Sequence, residues 1–151
     1  FNSPLLPLRF FTADKYFKVW WTGWGYFMRL SGSFPTRRGE GLEASLKESM
    51  EILKNGGVII FYPEGKIFRG SGEIGKPRRG IGALGLWSNA KIIPAAIKRT
   101  GGSRMANQVI FGKPFLVKDI IPKDKFRHTE DDYIVASEAV MDKVKDLYYR
   151  G

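Results

Sequence analysis

Glu64, Gly65, Lys66 and Arg69 are the residues whose types and spacing could do chemistry, and they follow directly on Pro63. A carboxylate beside two cations, with a glycine that lets backbone approach a ligand, suits a phosphate-bearing substrate that also carries hydroxyls. A turn with a surface ion pair is the plainer alternative for the same residues. More positive charge follows. Between Glu64 and Arg104 the cations are Lys66, Arg69, Lys76, Arg78, Arg79, Lys91, Lys98, Arg99 and Arg104, against Glu64 and Glu73 as the only acids. Arg37 and Arg38 can join them, since they too follow a predicted strand. The arginine fork takes phosphate oxygens in pairs, and glycines leave backbone N–H groups free to help. A solvated basic face is the alternative there.

Such a turn needs a strand to present it. Val58-Ile59-Ile60-Phe61-Tyr62 is apolar or aromatic throughout, opened by Gly56-Gly57 and closed by Pro63. That run reads as a buried strand of a parallel sheet, ended by a proline that cannot donate to the ladder. Ligands of open α/β sheets gather where strands end at their carboxyl edge. Just upstream, Gly41 to Lys54 is the clearest amphipathic helix, with Leu42, Leu46, Met50 and Leu53 on one stripe and Gly56 or Gly57 as its left-handed stop. Helix, glycine stop and apolar strand make an α/β unit.

The remaining elements are read the same way. Leu5 to Phe11 is a short strand weakened by Pro7, and Lys15 to Leu30 an aromatic helix that Gly23 and Gly25 break in two. Ser31 to Gly39 is a short strand or loop, Ile81–Ser88 a short helix, and Lys91–Lys98 a strand made irregular by Pro94. Gln108–Phe111 and Phe115–Val117 are a hairpin or two edge strands. A last helix runs from about Asp131 to Tyr149, with Thr129 and Asp132 as a capping box and Ile134, Met141, Val144 and Tyr148 as its stripe. The fold expected is α/β, a mixed and mostly parallel sheet flanked by helices.

With 151 residues, 43% apolar and 26% charged, the chain suits a single globular domain, 1–151. No cysteine and one histidine exclude a disulfide framework, thiol catalysis and a cysteine metal site, and leave little for a histidine one. A net charge of +10 implies an anionic partner: nucleic acid, an acidic membrane surface or phosphorylated substrates. No run approaches the roughly 18 apolar residues of a membrane span, and the first residues, lacking a basic stretch before an apolar core, do not read as a signal peptide. The opening Phe1-Asn2-Ser3-Pro4, with no initiator Met, reads like the middle of a longer protein. Three of the four tryptophans fall in Lys15–Leu30, where Lys15, Lys18 and Arg29 suit anionic headgroups; an aromatic core helix is the alternative.

In five places the residues resemble the glycerolipid acyltransferases that form phosphatidic acid, the 1-acylglycerol-3-phosphate acyltransferases and their relatives. Gly32-Ser33-Phe34-Pro35-Thr36-Arg37 is similar to the family's Gly-x-x-x-x-Arg block. Phe61-Tyr62-Pro63-Glu64-Gly65 resembles its Phe-Pro-Glu-Gly-Thr-Arg block, and Ile92-Ile93-Pro94-Ala95-Ala96 its strand ending in proline. Lys76-Pro77-Arg78-Arg79-Gly80 looks like the Phe-Lys-x-Gly that opens a helix, and Gly112-Lys113-Pro114 like a late Gly-x-Pro turn. The resemblance implies a glycerol-3-phosphate acyltransferase-like fold. It further implies transfer of a fatty acyl group from acyl-CoA or acyl-carrier protein to 1-acylglycerol-3-phosphate, with no bound cofactor or metal, at the cytoplasmic face of an anionic membrane. The substrate-binding residues it implies are Gly32, Arg37, Glu64, Gly65, Lys66, Arg69, Lys76 and Arg79. Glu64 would accept a glycerol hydroxyl or else fix an arginine or the loop.

Two departures qualify this. Lys66-Ile67 stands where the family has Thr-Arg, leaving Arg69 to supply the cation. The family's His-x-x-x-x-Asp block, whose histidine is the base for the acceptor hydroxyl, has no match. His128 has Tyr133 where the aspartate belongs, and reads as a solvated residue before a helix cap. No catalytic residue is therefore assigned, and the dyad is expected upstream of Phe1. A non-catalytic lipid-binding relative and a basic nucleic-acid-binding domain are the alternatives. Against the latter, the aromatics cluster in one segment rather than interleaving with the basic loops, so no nucleic acid partner is expected.

Overall fold

A computed structural model describes residues 8–13, 24–36, 39, 41–65, 74–99, 107–121 and 129–150. The fold is mixed α/β, and the chain divides into two compact units, Phe1–Phe61 and Tyr62–Gly151. In the first unit β1 (Leu8–Ala13) lies between β2 (Ser33–Thr36) and β3 (Val58–Ile60), parallel to both. Helix α1 (Trp24–Leu30) and helix α2 (Leu42–Lys54) make the connections that parallel strands require.

The register puts Phe11 opposite Phe34, and their rings meet at 4.6 Å between centroids. Phe61 meets Phe11 edge-on at 4.9 Å, so one row of aromatics crosses the sheet. Helix α2 packs against β2 and β3 and buries Leu46 and Ser49, with Leu42, Met50 and Leu53 half-buried along the expected stripe. Its end is a Schellman motif: Gly56 takes φ +75°, and the N–H groups of Gly56 and Gly57 donate to the carbonyls of Leu53 and Ile52 at 3.1 and 2.9 Å.

Two expectations for this unit are corrected. The strand after Gly57 covers only Val58–Ile60, and among the described strands it is an edge rather than buried, with Val58 and Ile60 52% and 37% exposed. Its one described neighbour is β1. Gly25 lies in the first turn of α1, and the expected break in the aromatic segment falls at residues outside those described. Residues 14–23, which include Gly23, are outside the described residues.

The second unit is built around two helices, α3 (Gly80–Ser88) and α5 (Glu130–Arg150). Strands β4 (Ala95–Arg99) and β5 (Asn107–Phe111) pair antiparallel and pack on α5, and the short α4 (Val117–Ile120) touches α3 and α5. The capping box forms as expected, with the Thr129 N–H donating to Asp132 Oδ2 at 2.9 Å and the Asp132 N–H to Thr129 Oγ1 at 3.4 Å. Of the expected α5 stripe, Met141 is buried and Val144 and Tyr148 are half-buried, but Ile134 is exposed; Tyr133, Ala136, Ser137 and Val140 complete the buried face. Small residues win that face because α3 comes very close. Phe115 makes only an isolated bridge to Ile92, and Val117 opens α4, so the strand expected over Phe115–Val117 is not formed. Pro94 does interrupt the preceding segment, and β4 starts just after it.

The closeness of α3 and α5 has an atomic cause. A Cβ on Gly82 would lie 2.1 Å from the Tyr133 carbonyl oxygen and 2.8 Å from Ala136 Cβ. The Gly82 N–H, an orphan donor in the first turn of α3, donates to Ser137 Oγ at 2.9 Å; that hydroxyl donates on to the Tyr133 carbonyl at 2.8 Å. Trp87 closes the other end, its Nε1–H reaching Tyr133 Oη at 3.2 Å with the rings edge to face. Gly82→Ala is therefore expected to cost about 2–3 kcal/mol by overpacking, read as a lower urea midpoint with unchanged slope.

Candidate functional site

The turn after β3 spans Tyr62-Pro63-Glu64-Gly65, with the Gly65 N–H donating to the Tyr62 carbonyl at 3.0 Å. Proline in the second place and glycine in the fourth are the residues such a turn favours. Gly65 has φ +65°, a conformation that a side chain would strain. Two further bonds tie the turn to a later segment. The Pro63 carbonyl accepts the Arg78 N–H at 2.8 Å, and Glu64 Oε1 accepts the Gly75 N–H at 2.9 Å.

These bonds bring a third group to the turn. A Cβ on Gly65 would lie 2.7 Å from Arg78 Cδ and 2.8 Å from its Nε, so the arginine stem rests on the glycine α-carbon. Arg78 is exposed, and no carboxylate pairs with it among the described residues. Its neighbour Arg79 points elsewhere and forms an ion pair with Glu130 at the start of α5. Consecutive residues before a helix face different directions, which separates two arginines that look alike in sequence.

Of the residues singled out from sequence, Glu64 and Gly65 come together with Gly75 and Arg78. Arg79 starts α3, its carbonyl accepting the Ala83 N–H at 3.0 Å, and Lys76 is exposed. Gly32 belongs to the first unit, where it is buried at φ +86° and a Cβ would lie 2.6 Å from the Leu8 carbonyl oxygen. Close packing on β1 is thus a sufficient reason for that glycine. Arg37, Lys66, Arg69 and His128 lie outside the described residues. Arg78 and the Gly75 N–H were not anticipated; the Arg78-Arg79 doublet was the only sequence signal, and it did not say which arginine faces the turn.

One oxygen of Glu64 is thus engaged in shaping the loop. Glu64→Ala is expected to free the Gly75 amide and speed its hydrogen exchange by about tenfold, the worth of one hydrogen bond, while Glu64→Gln keeps an acceptor oxygen and most of the protection. Exchange at Gly75 that is equal in all three proteins would show that the carboxylate does not hold the loop.

Among the described residues no cluster of carboxylates and histidines could hold a metal ion, and no helix is long and apolar enough to cross a membrane. Comparisons with curated proteins and with solved structures return no match. The family model described as Acyltransferase matches residues 2–98, a span holding the Gly32–Arg37 segment, the Pro63–Gly65 turn and the start of α3. With that match covering well over half its length, the chain belongs to the Acyltransferase family.

Proposed function

We propose that this acyltransferase domain is the substrate-binding part of an enzyme that transfers a fatty acyl group from acyl-CoA or acyl-carrier protein to 1-acylglycerol-3-phosphate, at an anionic membrane surface. The observation that carries the reading is the clasped Pro63-Glu64-Gly65 turn, with its carboxylate and nearby cations. In the reaction the acceptor hydroxyl oxygen bonds to the thioester carbon, the C–S bond breaks, and the thiol leaves with the proton that the hydroxyl gave up. A base must reach that hydroxyl, and donors must meet the developing oxyanion.

The residues of this chain have the binding part of the task. Lys66, Arg69 and Lys76 are candidates to supply positive charge for the acceptor phosphate, whereas Arg79 is engaged by Glu130. Holding the phosphate converts binding energy into orientation of the hydroxyl. Glu64 Oε1 is engaged by Gly75, which leaves Oε2 as the acceptor for a glycerol hydroxyl. The exposed rings of Tyr26 and Phe27, together with a net charge of +10, support contact with an anionic interface.

The 151-residue chain is expected to be retained on anionic vesicles carrying lysophosphatidic acid, less so as salt rises, and to hold them in preference to oligonucleotides at matched salt. Preference for the oligonucleotides would overturn the reading. With no match to the histidine block, the same polypeptide should bind without turnover in an acyl-CoA assay; measurable transfer would mean that another residue acts as the base.

A further inference from the structure

We propose that Arg78 is the residue whose guanidinium contacts the substrate phosphate at the Pro63–Gly65 turn, and that Arg79 is not. The inference rests on the phosphate-bearing substrate proposed above and adds which cation meets it. Three observations converge on Arg78. Its backbone N–H is fixed to the Pro63 carbonyl at 2.8 Å, so its α-carbon cannot drift from the turn. Its stem lies on Gly65, with Cδ and Nε within 2.8 Å of where a Cβ would stand, a place that only a glycine leaves open. The residue is exposed, and its guanidinium has no carboxylate partner among the described residues.

The neighbouring cations differ in how they are held. The Arg79 guanidinium is paired with Glu130, so a phosphate would have to compete with a carboxylate already in place. Lys76 is exposed, but no described contact holds it at the turn, and it offers a point charge rather than a fork. The Glu64 carboxylate could itself attract Arg78; its hydrogen bond to Gly75 directs one oxygen away from that pairing. A phosphate oxyanion is therefore the ligand chemistry that fits, whether it belongs to the glycerol phosphate of the acceptor or to coenzyme A of the donor.

The test is calorimetric binding of sn-glycerol 3-phosphate and, separately, of coenzyme A to the 151-residue chain. Arg78→Ala is expected to weaken binding by about tenfold or more, the loss of a charge-assisted pair, and Arg78→Lys to recover only part of it. Arg79→Ala should cost about twofold, and the charge-matched Lys143→Ala nothing. Gly65→Ala, which displaces the Arg78 stem without removing charge, should weaken binding in the same direction. A loss confined to one ligand supports the inference and names the source of the phosphate. Binding by Arg78→Ala within twofold of the parent, at an unchanged urea midpoint, overturns it. If the parent chain binds neither ligand, the functional reading itself fails.

Discussion

Two hydrogen bonds from residues more than ten positions downstream close the turn after β3, one into the Glu64 carboxylate and one into the Pro63 carbonyl. Closing a loop of about ten residues costs roughly 2 kcal/mol of chain entropy before any constant terms. A neutral backbone bond returns about 1 kcal/mol and a bond to a carboxylate about 1.5–3 kcal/mol, so the charged one decides whether the clasp holds. Pro63 contributes twice over. It takes the second place of the turn, and its carbonyl accepts the Arg78 N–H. The positions of Gly75 and Arg78 at the turn follow from these two contacts.

Further along, the clasp hands over to helix packing. Only one residue separates Arg78 from Gly80, where α3 begins, and α3 is held against α5 by a contact with no room for a methyl group. The same helix α5 brings Glu130 to Arg79. One arginine of the doublet is thereby committed to the helix pair and the other left at the turn. Local charge density alone would have treated them as equivalent.

Much of this architecture could be read from residue order. The stripe of α2, its glycine stop and the capping box at Thr129 are local patterns, and each formed as written. The parallel pairing of the strand that precedes Pro63 also followed from its apolar run and from the α/β unit around it. What sequence could not show was set by distant partners. The apolar run at Val58 gave no hint that its strand is an edge among the described ones, since exposure depends on neighbouring strands rather than on composition. Ile134 looked like a core residue by spacing, yet the face of α5 that meets α3 lies against Gly82, which packs on the Tyr133 carbonyl, Ala136 and Ser137. At the site, Glu64 and Gly65 were legible because proline and glycine punctuate the chain there. The roles of Gly75 and Arg78 were not, because a contact across eleven or more residues leaves no periodic trace.

The family match ends at residue 98, whereas the groups that satisfy and pin the matched helix α3 come from Tyr133, Ala136 and Ser137. The boundary of a recognisable domain and the boundary of a self-sufficient folding unit therefore do not coincide in this chain. Trimming the polypeptide to the recognisable part would strip a buried amide of its acceptor and leave a glycine-notched helix with no surface to fit. For anyone dividing such proteins into pieces, the less distinctive C-terminal stretch is the one to keep.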